Sequence, residues 1–326
     1  MKVSTFRAIL FIILFFLIDQ IIFNIYKFEH NDQAYSYGAL SKLYSGTINS
    51  DIVIFGSSRT MLHLDPAIIA KNTGLSAYNL AKDGTNIYQS FFTLKEYLIY
   101  NSKPRLIIFE ADINQLDLNN KLRFEKDKFK EYSYISKNVA DLFVPSPIER
   151  FSQSLVKSQF AANKTSQFYT FITKTIFGNK EKEENLKDFG GWIFSNGAHL
   201  KKGTVIEYTT FKESIFQLTI STEKLKLLEM AANLSDRLRI PILFFSPPIN
   251  YWKRNDSIES GLRAIEKIAF GHDVSNLADY TFDDDFSCDS QYWWNEGHLN
   301  IDGARLLSKK LTYDINKLIK VDESGQ

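Results

Sequence analysis

Three short stretches carry residue types suited to nucleophilic chemistry. Gly56-Ser57-Ser58-Arg59 follows directly on the apolar run Ile52-Val53-Ile54-Phe55. A serine at a strand-to-helix turn is open to a ligand, and the backbone N–H groups beside it can stabilise a developing oxyanion. Asn79 and Gly84 form the second stretch: a side-chain amide and a glycine N–H are donors of the kind such an oxygen needs. The third is Asn295-Glu296-Gly297-His298-Leu299-Asn300, where His298 precedes a final amphipathic segment and is placed to act as base for a serine hydroxyl. Each stretch alone also has an ordinary structural explanation, as a helix cap, an Asp83-Gly84 turn or a structural histidine.

The elements around these stretches read as alternating strands and helices. Asp51–Phe55, Tyr78–Ala81, Leu106–Phe109 and Ile240–Phe245 are short apolar runs stopped by turn residues, the signature of buried strands. A further short strand is predicted near Val274–Leu277. Asp65-Pro66 opens a helix that ends near Gly74, with Asp as N-cap and Pro in the first turn. Helices are also predicted over Ile87–Tyr100, Ser221–Leu238, Ile258–Phe270 and Asp302–Ile319. This rhythm predicts βαβ units around a parallel sheet, and the serine turn then lies at the carboxyl ends of the strands, where open parallel sheets bind ligands. Between Leu116 and Thr219 the rhythm is lost, and a mainly helical insertion or cap is expected there.

The composition excludes more than it suggests. The chain has 326 residues, a formal net charge of +1, 24% charged residues and 44% hydrophobic ones. A nucleic-acid protein usually carries a basic excess, so no nucleic-acid partner is expected. The single Cys288 excludes an internal disulfide and a cysteine-rich zinc site. The five histidines show no metal-ligand spacing and no G-x-G-x-x-G follows the first strand, so neither a metal nor a cofactor is expected. Ala8–Ile18 is wholly apolar and, after Asp19-Gln20, Ile21–Tyr26 continues the run. The stretch has about the length of a membrane span, Lys2 and Arg7 precede it, and no A-x-A-like cleavage site follows. An uncleaved N-terminal signal anchor is expected, with the N-terminus inside and the remaining chain outside the cytoplasmic membrane.

Taken in order, the three stretches resemble the SGNH/GDSL hydrolases. Gly56-Ser57-Ser58 is similar to the serine block of that family, with Ser58 in the nucleophile place. Asn79-Leu80-Ala81-Lys82-Asp83-Gly84 is similar to its glycine block, with Gly84 offering a backbone N–H. His298-Leu299-Asn300 with Gly303-Ala304 resembles the histidine block of its membrane-anchored branch, which includes the D-alanine transfer protein and the O-acetylation proteins of exported polysaccharides. The resemblance covers about 50–114 and 222–320. It implies a three-layer α/β sandwich with a central parallel sheet, of SGNH or flavodoxin-like type, with an N-terminal transmembrane helix and the insertion added. The domain organisation expected is 1–27 signal anchor, 28–50 linker, 51–115 with 220–320 α/β domain, 116–219 insertion and 321–326 tail.

Two departures from the family stand out. Its Asn block has no clean equivalent after the third strand; Asn114 is the expected oxyanion donor, with Asp112 as the other candidate. Three residues before His298 the family has Asp, and this chain has Asn295. Either Asn295 or a backbone carbonyl orients His298, or another acid such as Asp285 or Asp289 takes that role, or hydrolysis has been lost. What the resemblance implies is acyl transfer through an acyl-serine, with Ser58, His298 and Asn295 catalytic and Gly84, Asn79 and Asn114 binding the oxyanion. The acceptor expected is a cell-envelope polysaccharide or a teichoic-acid-like polymer, the partner a polytopic membrane-bound O-acyltransferase, and Trp192, Trp252, Trp293 and Trp294 are candidates for stacking on sugar rings. The alternative is a catalytically impaired accessory protein of such a complex.

Overall fold

A computed structural model of the chain describes residues 3–29, 36–120, 124, 126, 129, 132–133, 135–143, 188–189, 192–196, 198–203, 217–250, 254–287 and 290–324. Helices α1 (Val3–Glu29) and α2 (Ser36–Tyr44) come first. Strand β1 (Ile52–Phe55) is followed by α3 (Ser58–His63), α4 (Pro66–Thr73), β2 (Ala77–Asn79), α5 (Ile87–Tyr100), β3 (Leu106–Glu110) and α6 (Ile113–Leu116). Then come α7 (Lys137–Phe143), β4 (Asp188–Phe189), β5 (Trp192–Ser195), β6 (Ala198–Lys201), α8 (Thr222–Leu238), β7 (Ile242–Ser246) and α9 (Asp256–Ala269). The chain closes with β8 (Ser275–Asp279), α10 (Asp284–Ser287), β9 (Trp293–Asn295), β10 (His298–Leu299) and α11 (Ile301–Ser324). It divides into two units, Met1–Ser45 with Glu125–Glu183, and Gly46–Phe124 with Glu184–Gln326.

The second unit is built on the expected parallel sheet, with strand order β2-β1-β3-β7-β8. Its central strands are apolar because both faces are covered. Ile52, Ile54, Leu106, Ile108, Leu243 and Phe245 point to one face and join Leu64, Ile69, Leu307, Leu311 and Ile315 from the α4 and α11 side in a single core. On the other face the Phe55 ring meets Tyr97 of α5 edge-on at 5.8 Å, and Phe109 meets Phe244 at 6.3 Å. The helix ends follow their local chemistry. Asp65 caps α4 by accepting the Ala67 N–H, Pro66 occupies its first turn, and Gly74 closes it at φ 72°.

Two expectations are corrected. Within 116–219, α7 is helical, but the described strands between 188 and 201 form an antiparallel sheet in the order β4-β5-β6. Trp192-Ile193-Phe194 is aromatic and β-branched, and Asn196 follows β5 at φ 39°, a conformation that asparagine tolerates. The Asn79 N–H of edge strand β2 donates to the Asn196 carbonyl at 2.9 Å, which docks this hairpin on the sheet. The second correction concerns the N-terminus. Among the described residues no helix is long and apolar enough to cross a membrane. The exposed apolar side chains described on α1 lie between Phe6 and Ile21, and Asp19 among them is buried.

Helix α11 begins where β10 ends, and its first turn is tightly fitted. Asn300 donates its N–H to the Tyr292 carbonyl at 2.9 Å and accepts from the Asp302 and Gly303 N–H groups at 3.0 Å. A Cβ at Gly303 would strike the Tyr292 carbonyl oxygen and lie 3.1 Å from Leu299 Cδ2. Gly303→Ala is therefore expected to cost about 1–3 kcal/mol. The loss should be read as a lower urea midpoint at an unchanged m-value; a wild-type midpoint would contradict this close approach.

Candidate active site

The site is assembled from the carboxyl ends of β1 and β3 and from the β9–β10 hairpin. At the end of β1 the chain turns at Gly56, where a Cβ would strike Glu110 Oε2 and lie 2.6 Å from Thr60 Oγ1. Ser57 then caps α3, its Oγ accepting the Arg59 N–H at 3.2 Å. Ser57 also donates its N–H to Glu110 Oε2 and its hydroxyl to Glu110 Oε1, the latter at 2.8 Å. This occupies Ser57 and leaves Ser58, the first residue of α3, as the serine that faces the hairpin.

In that hairpin His298 lies opposite Asn295 across a two-residue turn. Leu299 and Trp293 pair behind them and are fully buried, with Trp293 Nε1 donating to the Phe286 carbonyl at 2.9 Å. The His298 ring is thereby held edge-on to the serine turn: Nε2 lies 2.9 Å from Ser58 Oγ and Nδ1 lies 3.0 Å from Asn295 Oδ1. The same Asn295 Oδ1 accepts the N–H groups of Gly297 and His298, each at 2.9 Å. Two backbone donors thus identify this atom as the amide oxygen. An oxygen can only accept, so Nδ1 carries the ring proton and Nε2 keeps the lone pair that receives the Ser58 hydroxyl. This is the tautomer a general base for serine requires.

The electrostatics keep the ring neutral. Burial, reinforced by the Arg59 guanidinium, lowers the His298 pKa to about 4, with Asp83 acting in the opposite direction. Arg59 is itself buried, donating from Nη1 to Asp112 Oδ2 at 2.7 Å and from Nη2 to the Pro248 carbonyl. His63, on α3, is fully buried and accepts the Leu299 N–H at Nε2 over 3.1 Å. Burial first, then Arg59 and His298, hold His63 well below the usual histidine range. It acts as a neutral acceptor that fixes β10 next to the reactive ring.

The expected site residues separate into two groups. Ser58, His298 and Asn295 are brought together. Gly84 sits at φ 65° in the turn after β2, beside Asp83, whose charge acts on His298. Thr85 Oγ1 and the Lys82 N–H pin that loop to the Gly56 carbonyl at 3.1 and 3.0 Å. Asn79 is not placed as an oxyanion donor: it is fully buried, and its amide group donates to the Thr60 and Leu64 carbonyls while its oxygen accepts the Ala81 N–H. Asn114 is half-buried on α6, and among the described residues no hydrogen bond joins its side chain to Ser58 or His298. Asp112 is occupied by Arg59 and by the Asn114 N–H.

The other candidates are also located. Asp285 is paired with Lys310 at 2.6 Å, away from His298, and Asp289 and Cys288 lie outside the described residues. Trp293 is core. Trp294 remains half-buried, with its ring 6.2 Å from that of His298 and the Lys201 ammonium 5.6 Å from its centroid. The Trp192 side chain and Trp252 lie outside the described residues. Reasoning from the sequence missed Glu110, Arg59, His63 and Lys201. The available signal was a charge on the last residue of a buried strand, as at Glu110, and polar residues on a helix that turns out to be largely buried.

No family model matches this chain, and no curated protein matches it. Among solved structures it is similar to a Streptococcus pneumonia protein described as a candidate platelet activating factor, with 13% identity over 85% of this chain and 89% of that one, at a TM-score of 0.44. A likeness this loose carries no functional argument.

Replacing Asn295 by Asp puts a full negative charge beside Nδ1 and favours the imidazolium. The His298 titration midpoint, followed by the NMR shifts of its ring, should rise from about 4 by roughly one to two units in Asn295→Asp. Above its midpoint the ring stays neutral in both proteins. An unmoved midpoint would show that residue 295 does not contact the ring.

Proposed function

We propose that this chain is a serine-nucleophile enzyme that hydrolyses or transfers an acyl group through an acyl-Ser58 intermediate. The observation that carries this reading is the continuous relay from Ser58 Oγ through His298 to Asn295 Oδ1, at 2.9 and 3.0 Å. In the first step Ser58 Oγ bonds to the acyl carbon, its proton passes to His298 Nε2, and the leaving alcohol takes that proton as its bond breaks. In the second step water or a sugar hydroxyl attacks the acyl-serine, gives its proton to Nε2, and Ser58 is released with a proton from the ring. The Ser58 and Gly84 N–H groups are the proposed oxyanion donors, Gly84 because the charge of its neighbour Asp83 reaches His298.

The acceptor we propose is a glycan of the cell envelope, delivered its acyl group by a polytopic membrane-bound O-acyltransferase. The order of the Ser, Gly and His blocks supports this class, and Trp294 with Lys201 offers an aromatic face and a cation beside His298. The exposed apolar side chains of α1 support attachment of the chain at the cytoplasmic membrane.

One observation favours a second reading, a non-catalytic accessory role. Asn295 is neutral, and a ring with a pKa of about 4 is a weak proton acceptor. Hydrolysis of short-chain p-nitrophenyl esters separates the two. The enzymatic reading expects turnover that falls at least about a thousandfold in Ser58→Ala. Turnover equal in the two proteins would overturn it, and so would wild-type protein that leaves both aryl esters and envelope acylation in cells unchanged relative to Ser58→Ala.

A further inference from the structure

The end of β3 holds a carboxyl group that the Ser58–His298–Asn295 relay does not use. Glu110 is 4% exposed, and both of its oxygens receive donors from one residue: Oε2 takes the Ser57 N–H and Oε1 takes the Ser57 hydroxyl. The oxygen of that hydroxyl accepts the Arg59 N–H and so caps the helix that carries Ser58. Gly56 has no side chain because one would occupy the place of Glu110 Oε2. The turn that presents the nucleophile is therefore shaped against this carboxyl group.

We propose that Glu110 is a positioning residue: as a carboxylate it fixes the Ser57 turn that presents Ser58 to His298, and its protonation releases that turn. The proposal rests on the reading of Ser58 as nucleophile. A carboxylate accepts at both oxygens, which matches two converging donors. A protonated carboxyl must donate from one of them, and the hydroxyl oxygen now bonded to Glu110 is Ser57 Oγ, which already receives the Arg59 N–H. The Ser57 hydroxyl proton would then lose its partner in a site where Ser57 is 4% exposed, and buried polar groups left in this way are costly.

The groups facing Glu110 are Asp112 from the loop after β3, Arg59 and Thr60 from α3, and Ser57 itself, with Phe245 beside it on β7. Burial and the Asp112 charge raise its pKa to about 7, against the Ser57 hydrogen bonds and the Arg59 charge. The sign is then fixed. Above this value Glu110 is ionised and the turn is held; as pH falls through it, the turn is released. His298 stays neutral down to about 4, so a loss of serine reactivity near pH 7 belongs to Glu110 and not to the base.

The test is the rate at which a fluorophosphonate labels the full chain from about pH 5 to 9, in wild type, Glu110→Gln and Ser58→Ala, together with the Ser57 amide shift of wild type over the same range. Wild-type labelling should fall about tenfold from pH 8 to pH 6, with the Ser57 amide titrating at the same midpoint. Glu110→Gln should label more slowly at pH 8 and show no fall in that interval, and Ser58→Ala should not label. A fall near pH 7 that persists in Glu110→Gln, or a Ser57 amide that does not titrate there, overturns the role of Glu110 while the nucleophile stands. Wild type that fails to label, or Ser58→Ala that labels equally, overturns the nucleophile and this role with it. If Glu110→Gln does not fold, the wild-type amide titration decides.

Discussion

The site depends on which way one side-chain amide points. An asparagine next to a catalytic-type histidine is usually a liability, because its amide can turn, donate to Nδ1 and force the wrong tautomer, an effect worth about 10⁴ in kcat in the serine-protease Asp-to-Asn example. Here the Gly297 and His298 N–H groups both donate to Asn295 Oδ1. Turning the amide would bring its NH₂ group against two backbone donors. The hairpin turn therefore supplies the orientation that a charge supplies elsewhere, and His298 offers Nε2 to Ser58 without an adjacent carboxylate. What the arrangement lacks is a negative charge for the imidazolium, which is consistent with the low pKa of the ring.

The rest of the larger unit holds that hairpin and the serine turn in register. Leu299 and Trp293 anchor the hairpin in the same apolar core as the sheet strands and α11. His63 reaches from α3 to the Leu299 N–H, so the helix that carries Ser58 and the strand that carries His298 are tied by a direct bond. From the other side Glu110 and the Asp112–Arg59 pair fix the serine turn to the end of β3. A buried ion pair of this kind is weak evidence for stability, but losing one partner leaves an uncompensated charge. The site is thus rigid through polar contacts that the sheet topology brings within reach.

Much of the frame was legible from the sequence, and the reasons are local. Ile52–Phe55, Leu106–Phe109 and Ile242–Phe245 are apolar on both faces, and Asp65-Pro66 with Gly74 brackets its helix by capping chemistry. The serine and histidine stretches were legible because turn residues end those strands. Asn79 misled because its amide, a suitable oxyanion donor by type, satisfies the Thr60 and Leu64 carbonyls within and just after a short helix that periodicity does not reveal. The β5–β6 hairpin was hidden in a segment without strand–helix rhythm, although Asn196, at φ 39°, is a residue type that favours turns. Glu110 was invisible as a functional group because only tertiary pairing shows what a buried carboxylate accepts.

The central claim is that His298, held by Asn295, makes Ser58 and not its neighbour Ser57 the nucleophile. Peptide mapping by mass spectrometry after brief exposure to an activated acetyl ester and an acid quench tests it most directly. The account predicts one acetyl group on Ser58 in wild type and none in His298→Gln. An acetyl group on Ser57, or one on Ser58 that forms equally in His298→Gln, would contradict it.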